Sequence, residues 1–379
     1  MTPSRYRVLL PLLAPFLWAG SAFGAQGPNP GDTAWLLVSS ALVLLMVPGL
    51  ALFYGGMVRA KNILSTLMLS FIALGVIGIE WVAVGYSLAF GGTPGPWLGG
   101  FDRLFLAGIA PGDLTGSVPT LAFVAFQGMF AIITPALISG ALVERIRFGA
   151  YTLFILLWAL LVYNPLAHWV WGEGGWLLEL GALDFAGGTV VHISSGVSAL
   201  ALILVLGKRR GYPAERFIPH NLTLTLLGAG LLWFGWFGFN AGSALAANGT
   251  AVLAFVSTNT AAAAGMLGWL LAERLRFGKA SALGAASGLV AGLVAITPGA
   301  GFITPGWAIV VGGVAGILCF RAVCLKERFG YDDALDVLGV HGVGGAWGAV
   351  ATGVFSTVGA GSLLTGDLRQ FGVQVLGVA

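Results

Sequence analysis

Apolar residues gather along this chain in ten long blocks, at about 33–57, 63–90, 117–142, 149–167, 185–207, 219–240, 249–272, 280–297, 306–325 and 335–358. A helix needs about 20 apolar residues to cross a hydrocarbon core roughly 30 Å thick, so each block predicts a membrane-spanning helix. Before them, Arg5 and Arg7 precede an apolar stretch from Val8 to Trp18 and the small-x-small run Ala22-Phe23-Gly24. That is the layout of a secretory signal over residues 1–24, and Pro11, Pro15 and the short apolar core argue against a retained span. After them, an apolar run opens near Gln370 and stops at Ala379, too short to cross a bilayer. It is expected to be the start of an eleventh helix, truncated over 370–379.

Polar punctuation gives the spans a direction. Arg59, Lys61, Arg145, Arg147, Lys208, Arg209, Arg210, Arg216, Arg274, Arg276, Lys279, Arg321, Lys326 and Arg328 all follow odd-numbered spans, which puts fourteen of the 18 Lys and Arg residues on one side. The opposite loops hold only Arg103 and Arg369. Cations accumulate on the cytoplasmic side of membrane proteins, so the mature N-terminus is expected outside a cell inner (plasma) membrane. Five spans precede the loop near residues 208–218 and five follow it. An odd number per half reverses the second half relative to the first. The expected architecture is therefore an all-α polytopic membrane protein of two inverted five-helix repeats, 33–207 and 219–358, around a central pore.

Composition agrees and narrows the class. Hydrophobic residues make up 58% of the chain and charged residues 9%, a balance foreign to soluble domains. Sixty of the 379 residues are glycine, against a usual share of about 7%, which suits closely packed membrane helices. No basic stripe lies outside the membrane-flanking loops, so nucleic acid is not an expected partner. Cys319 and Cys324 share one apolar span and read as buried small hydrophobes rather than a disulfide.

The candidate chemistry lies in two helices. Asp184-Phe185-Ala186-Gly187-Gly188-Thr189-Val190-Val191-His192 opens the fifth span, and Asp336-Val337-Leu338-Gly339-Val340-His341 opens the tenth. The chain has only 4 histidines, and an ionisable group inside a span marks a substrate or proton path by default. At 1.5 Å per residue, His192 lies roughly 12 Å from one face and His341 roughly 7 Å from the other. Neutral imidazoles satisfy each other, one donating N–H and one accepting. Asp184 and Asp336 are expected to accept from free N–H groups at their helix starts, with Asp184 also facing an arriving cation. His168 and His220, at span edges, are expected to be interfacial or solvated. Phe126 and Phe130 share a helix face, Trp236 and Phe239 end the sixth span before Ser243, and Trp171 precedes Asp184. Converging at one mouth, such aromatics would hold a small cation by cation–π attraction, with the Ser243 hydroxyl as an acceptor.

These segments, with Gly140-Ala141-Leu142-Val143-Glu144-Arg145-Ile146-Arg147-Phe148, resemble the ammonium transporter family of ammonium transporters, methylammonium permeases and Rhesus proteins. The resemblance runs through nearly the whole mature chain, 25–379, and is nearest to the bacterial ammonium transporters. It implies homotrimers of eleven-helix subunits, each with its own pore, and a role in nitrogen uptake. It implies an outer recruitment site of Phe126, Trp171 and Ser243, supported by Asp184 without being lined by it. It further implies a phenyl gate of Phe130 and Phe239, with Trp236 as a nearby wall, and a pore pair of His192 and His341. Ammonium, ammonia and methylammonium are the implied substrates, with membrane lipid around the bundle. No metal or other cofactor is implied. Docking of a PII-type signalling protein at the cytoplasmic face is expected only with a tail that follows the eleventh helix.

Energetics supplies a mechanism. A bare ammonium in a dry apolar pore faces a desolvation cost far above thermal energy, and desolvation favours release of its proton. Neutral ammonia then crosses an apolar lumen with the histidines as partners. Potassium has no proton to lose. A Rhesus-like gas channel fits less well with the cation site of Trp171 and Ser243, and an ammonium sensor would need a signalling domain. An intramembrane metalloenzyme fits poorly, since two histidines and a helix-capping acid at different depths make a weak ligand set.

Overall fold

A computed structural model describes residues 27–92, 95–215 and 217–379; the expected signal segment 1–24 lies outside them. Ten helices among the described residues are long and apolar enough to cross a membrane. They are α1 (Pro30–Met57), α2 (Ala60–Phe90), α3 (Thr120–Leu142), α4 (Phe148–Leu180) and α5 (Gly188–Leu206), then α6 (Leu222–Ala241), α7 (Gly249–Phe277), α8 (Ala282–Gly299), α9 (Pro305–Phe329) and α10 (Leu338–Phe355). A short helix, α11 (Leu368–Val378), follows. The apolar blocks of the sequence thus fall on the observed spans within a few residues. The largest difference is α4, which continues past residue 167. Its main part ends at Trp171, and a separate turn, Trp176–Leu180, follows it.

The helices begin where short polar side chains take up free backbone donors. Asn29 Oδ1 accepts from Gly31 and Asp32 ahead of α1, Asn248 caps α7, and Ser281 caps α8. The first helices of the two halves, α1 and α6, pack together, as do the fifth helices, α5 and α10. That pairing is what two inverted five-helix sets produce around a shared axis. The α5–α10 crossing depends on Gly196, where a Cβ would fall 2.3 Å from the Gly342 nitrogen. No side chain larger than hydrogen fits between these backbones.

Between α2 and α3, a small hairpin of β1 (Leu114–Thr115) and β2 (Val118–Pro119) pairs Leu114 with Pro119. Asp32, in the first turn of α1, accepts from Ser117 Oγ of this hairpin and from the Ala247 N–H beyond α6. At the opposite end, arginines and acids from several loops form one buried cluster. Glu144 receives Arg59 at 3.0 Å and Arg209 at 3.2 Å, and Asp332 receives Arg209 at 2.9 Å and Arg145 at 3.5 Å. The Arg59 and Arg209 guanidiniums both pack over the Phe217 ring, 4.7 and 3.9 Å from its centre.

Candidate functional site

Among the described residues, five helices contain a wide π-helical turn, and three of those turns carry the residues singled out in the sequence. They are Gly188–Ile193 with His192, Phe237–Ala241 with Phe239, and Leu338–Gly342 with His341. A π turn inserts one residue and re-aims its neighbours, a device common at functional sites. Here it brings His192 and His341 together from opposite halves of the chain. Their Nδ1 atoms are 3.3 Å apart, and both rings are buried. One Nδ1 therefore donates and the other accepts, so the two imidazoles are held in different tautomers. His192 Nε2 has no partner among the described residues.

An aromatic column continues from His192. Its ring stacks on Trp236 at 5.5 Å and 22° and lies 6.1 Å from Phe239. Phe239 faces Phe130 at 4.3 Å, and Phe130 meets the edge of Trp171 at 5.9 Å. Beyond Phe130 opens a cavity of about 320 Å³, whose wall includes Trp171, Ser243, Gln127, Thr115 and Phe185. Ser243 Oγ donates to the Phe239 carbonyl at 2.8 Å, which leaves its lone pairs free to accept. Phe126 does not line this cavity. It is buried behind Phe130, 5.0 Å from that ring and against Gly242, and Phe123 and Gln127 occupy the cavity wall instead.

Asp184 sits beside this column without entering it. Its Oδ1 accepts from Gly187 and Gly188 and its Oδ2 from Thr189 and Val190, at 2.5 to 3.1 Å. Its carbonyl accepts the Trp171 indole N–H at 2.8 Å, so one residue starts the His192 helix and orients the tryptophan. Burial pushes its carboxyl up to about 6, against the pull of those four N–H donors.

Two expectations need correction. The acid that starts the His341 helix is Asp333, whose Oδ2 accepts from Leu338 N at 2.8 Å. Asp336 instead takes a left-handed backbone, φ 63°, and pairs with Lys326. The sequence did contain the signal, since Asp333 precedes His341 by the same eight positions that separate Asp184 from His192. His168 is not solvated. It is fully buried, its two ring nitrogens 2.9 Å from the Ala89 carbonyl and 2.7 Å from that of Gly95. His220 is exposed, as expected, with Nδ1 3.1 Å from the Val58 carbonyl.

Two inverted sets of five spans, meeting at a buried histidine pair beside two close phenyl rings, define a polytopic membrane protein. The chain belongs to the Ammonium Transporter Family, whose model matches residues 34–379. It is 54% identical to an ammonium transporter of Bacillus subtilis over 358 residues, covering 92% of this chain and 87% of that protein. Among solved structures, Candida albicans Mep2 superposes with a TM-score of 0.87 at 38% identity, over 93% of this chain and 81% of the other. A structure titled Sensor Amt Protein superposes with a TM-score of 0.85 at 30% identity, over 92% and 88%.

Proposed function

We propose that this protein carries ammonium across a cell membrane by recruiting the cation at the aromatic cavity, stripping its proton, and passing ammonia along the histidine pair. The observation that carries this reading is the 3.3 Å Nδ1–Nδ1 contact beneath the Phe130 and Phe239 rings, which lie 4.3 Å apart and tilted by 40°. Trp171 offers its ring to a cation at the cavity wall, and Ser243 offers an oxygen. Phe126 backs Phe130 and holds its ring in place. Past the phenyls, a bare ammonium would lose its water with no charged partner to replace it, at a cost of several kcal/mol. Ammonia loses far less, and His192 Nε2 is free to meet it. A cation without a proton to release is rejected by the same cost.

The loop charges support an orientation with the cavity outside and the Arg59–Glu144–Arg209 cluster in the cytoplasm. The family resemblance supports a homotrimer with one pore per subunit, serving nitrogen uptake. A sensor reading draws on the structural likeness to a protein titled as one. Both readings meet the same test, uptake of labelled methylammonium by proteoliposomes together with current on an ammonium step. Saturable uptake that ammonium competes away is the expected result. Binding without uptake would leave a sensor.

A further inference from the structure

The Trp236 indole stacks on the His192 ring, and its plane is set by a residue of another helix. Its Nε1–H donates to Thr297 Oγ1 at 3.0 Å. The Thr297 hydroxyl gives its own proton to the Leu293 carbonyl at 2.8 Å, so its lone pair has a fixed direction. Both side chains are buried, Trp236 at 2% and Thr297 at 0% exposure. A buried indole N–H without an acceptor is costly, so this hydroxyl selects one orientation of the ring. Thr297 begins the tight turn Thr297–Gly299 that ends α8, and that turn is itself fixed to the α5 side. The Pro298 carbonyl accepts from Phe185 N at 3.0 Å, and a Cβ on Gly188 would fall 2.6 Å from the Pro298 ring. One turn of α8 thus holds the Trp236 ring from α6 and the start of the His192 helix in a common frame.

We infer that Thr297 is a positioning residue for conduction, keeping the Trp236 indole stacked on His192 so that the passage at the first histidine has one width. This rests on the transport reading above. Thr297 touches the cation cavity nowhere in the wall described, so its effect belongs to the crossing step rather than to recruitment.

The test is methylammonium uptake into proteoliposomes, with KM and maximal rate measured separately. Thr297→Val keeps the shape and removes the acceptor. It is expected to lower the maximal rate roughly two- to twelvefold, the range that one net hydrogen bond supports, with KM unchanged. Thr297→Ser is expected to restore the rate. Trp236→Phe removes the N–H, and in that background Thr297→Val is expected to add nothing, the coupling expected of two groups acting as one. An unchanged maximal rate in folded Thr297→Val, or full additivity with Trp236→Phe, overturns the inference. If Thr297→Val does not fold, Thr297→Ala takes its place as the variant without the acceptor, and full additivity of Thr297→Ala with Trp236→Phe overturns the inference. A Trp171→Leu control separates the two readings, since a raised KM there alongside a silent Thr297→Val keeps the transport reading and removes this one.

Discussion

The His192 imidazole stacks on an indole and meets a second imidazole through Nδ1, which leaves one nitrogen for a visitor, and in the function proposed above that visitor is ammonia. Replacing His192 by Asp puts an anionic acceptor in this place. Opposite charges attract strongly where water is scarce, so His192→Asp is expected to admit potassium current while ammonium still moves. Paired ammonium and potassium currents at matched gradients check it, and unchanged potassium exclusion would place selectivity at the phenyls. At the cavity, Trp171→Leu with Ser243→Ala is expected to raise the apparent KM for ammonium, leaving the maximal rate nearly unchanged. A cation–π contact is worth about 0.5–2 kcal/mol, so the rise should be a few-fold to about thirtyfold. An unmoved KM would put recruitment elsewhere. At this scale the sequence was readable where rarity forced attention, as with His192 and His341. It was misleading where the partner came from a distant segment. Nothing near His168 in sequence announces the carbonyls of Ala89 and Gly95, and the proximity of Asp336 to His341 hid the capping role of Asp333.

The helices themselves were the most legible feature, because a twenty-residue apolar block has few other destinations. Their internal irregularities were not. Spans apolar on every side carry no period to betray a wide turn, so the π-helical stretches around His192, Phe239 and His341 leave no trace in the apolar pattern. The close contact of α5 and α10 gives a sharp prediction at this level. Gly196→Ala places its Cβ 2.3 Å from the Gly342 backbone nitrogen, where no side chain can yield, so the helices must separate. Overpacking of this kind costs about 1–3 kcal/mol or more. A lower melting temperature in detergent is expected, together with slower methylammonium uptake as the histidines draw apart. Wild-type melting and uptake would mean that the crossing has slack.

Across the molecule, the cluster of Arg59, Glu144, Arg145, Arg209 and Asp332 ties loops of both halves at one end. The sequence shows the arginines as topology markers and gives no hint that they converge, because pairing across loops depends on the assembled bundle. Burial opposes the charge of Glu144 and of Asp332. The hydrogen bonds of Arg59 and Asn62 to the first, and of Arg209 to the second, outweigh it and hold both carboxyls below their ordinary 4.5 and 3.8. A carboxyl more acidic when folded contributes stability above its unfolded pKa, and that contribution is lost as pH falls through the folded value. The cluster's share of the melting temperature should therefore hold at neutral pH and fade below about 4. Glu144→Gln is expected to cost about 2–3 kcal/mol at pH 7, and its melting temperature should fall less steeply on acidification than that of wild type. Parallel pH profiles for the two proteins would exclude a stabilising role for the cluster.

Each wide turn around His192, Phe239 and His341 also stores one surplus residue, which a regular helix has no room for. The helix that carries His192 can therefore lose a position there and close up into ordinary α-helical spacing, while the same loss further along would twist the remainder by about 100°. Deleting Val190 should accordingly give a protein that still inserts and runs as a single species, yet conducts nothing, because the ring has been dialled away from the partner histidine. Deleting Ala201 from the regular part of the same helix should prevent assembly altogether.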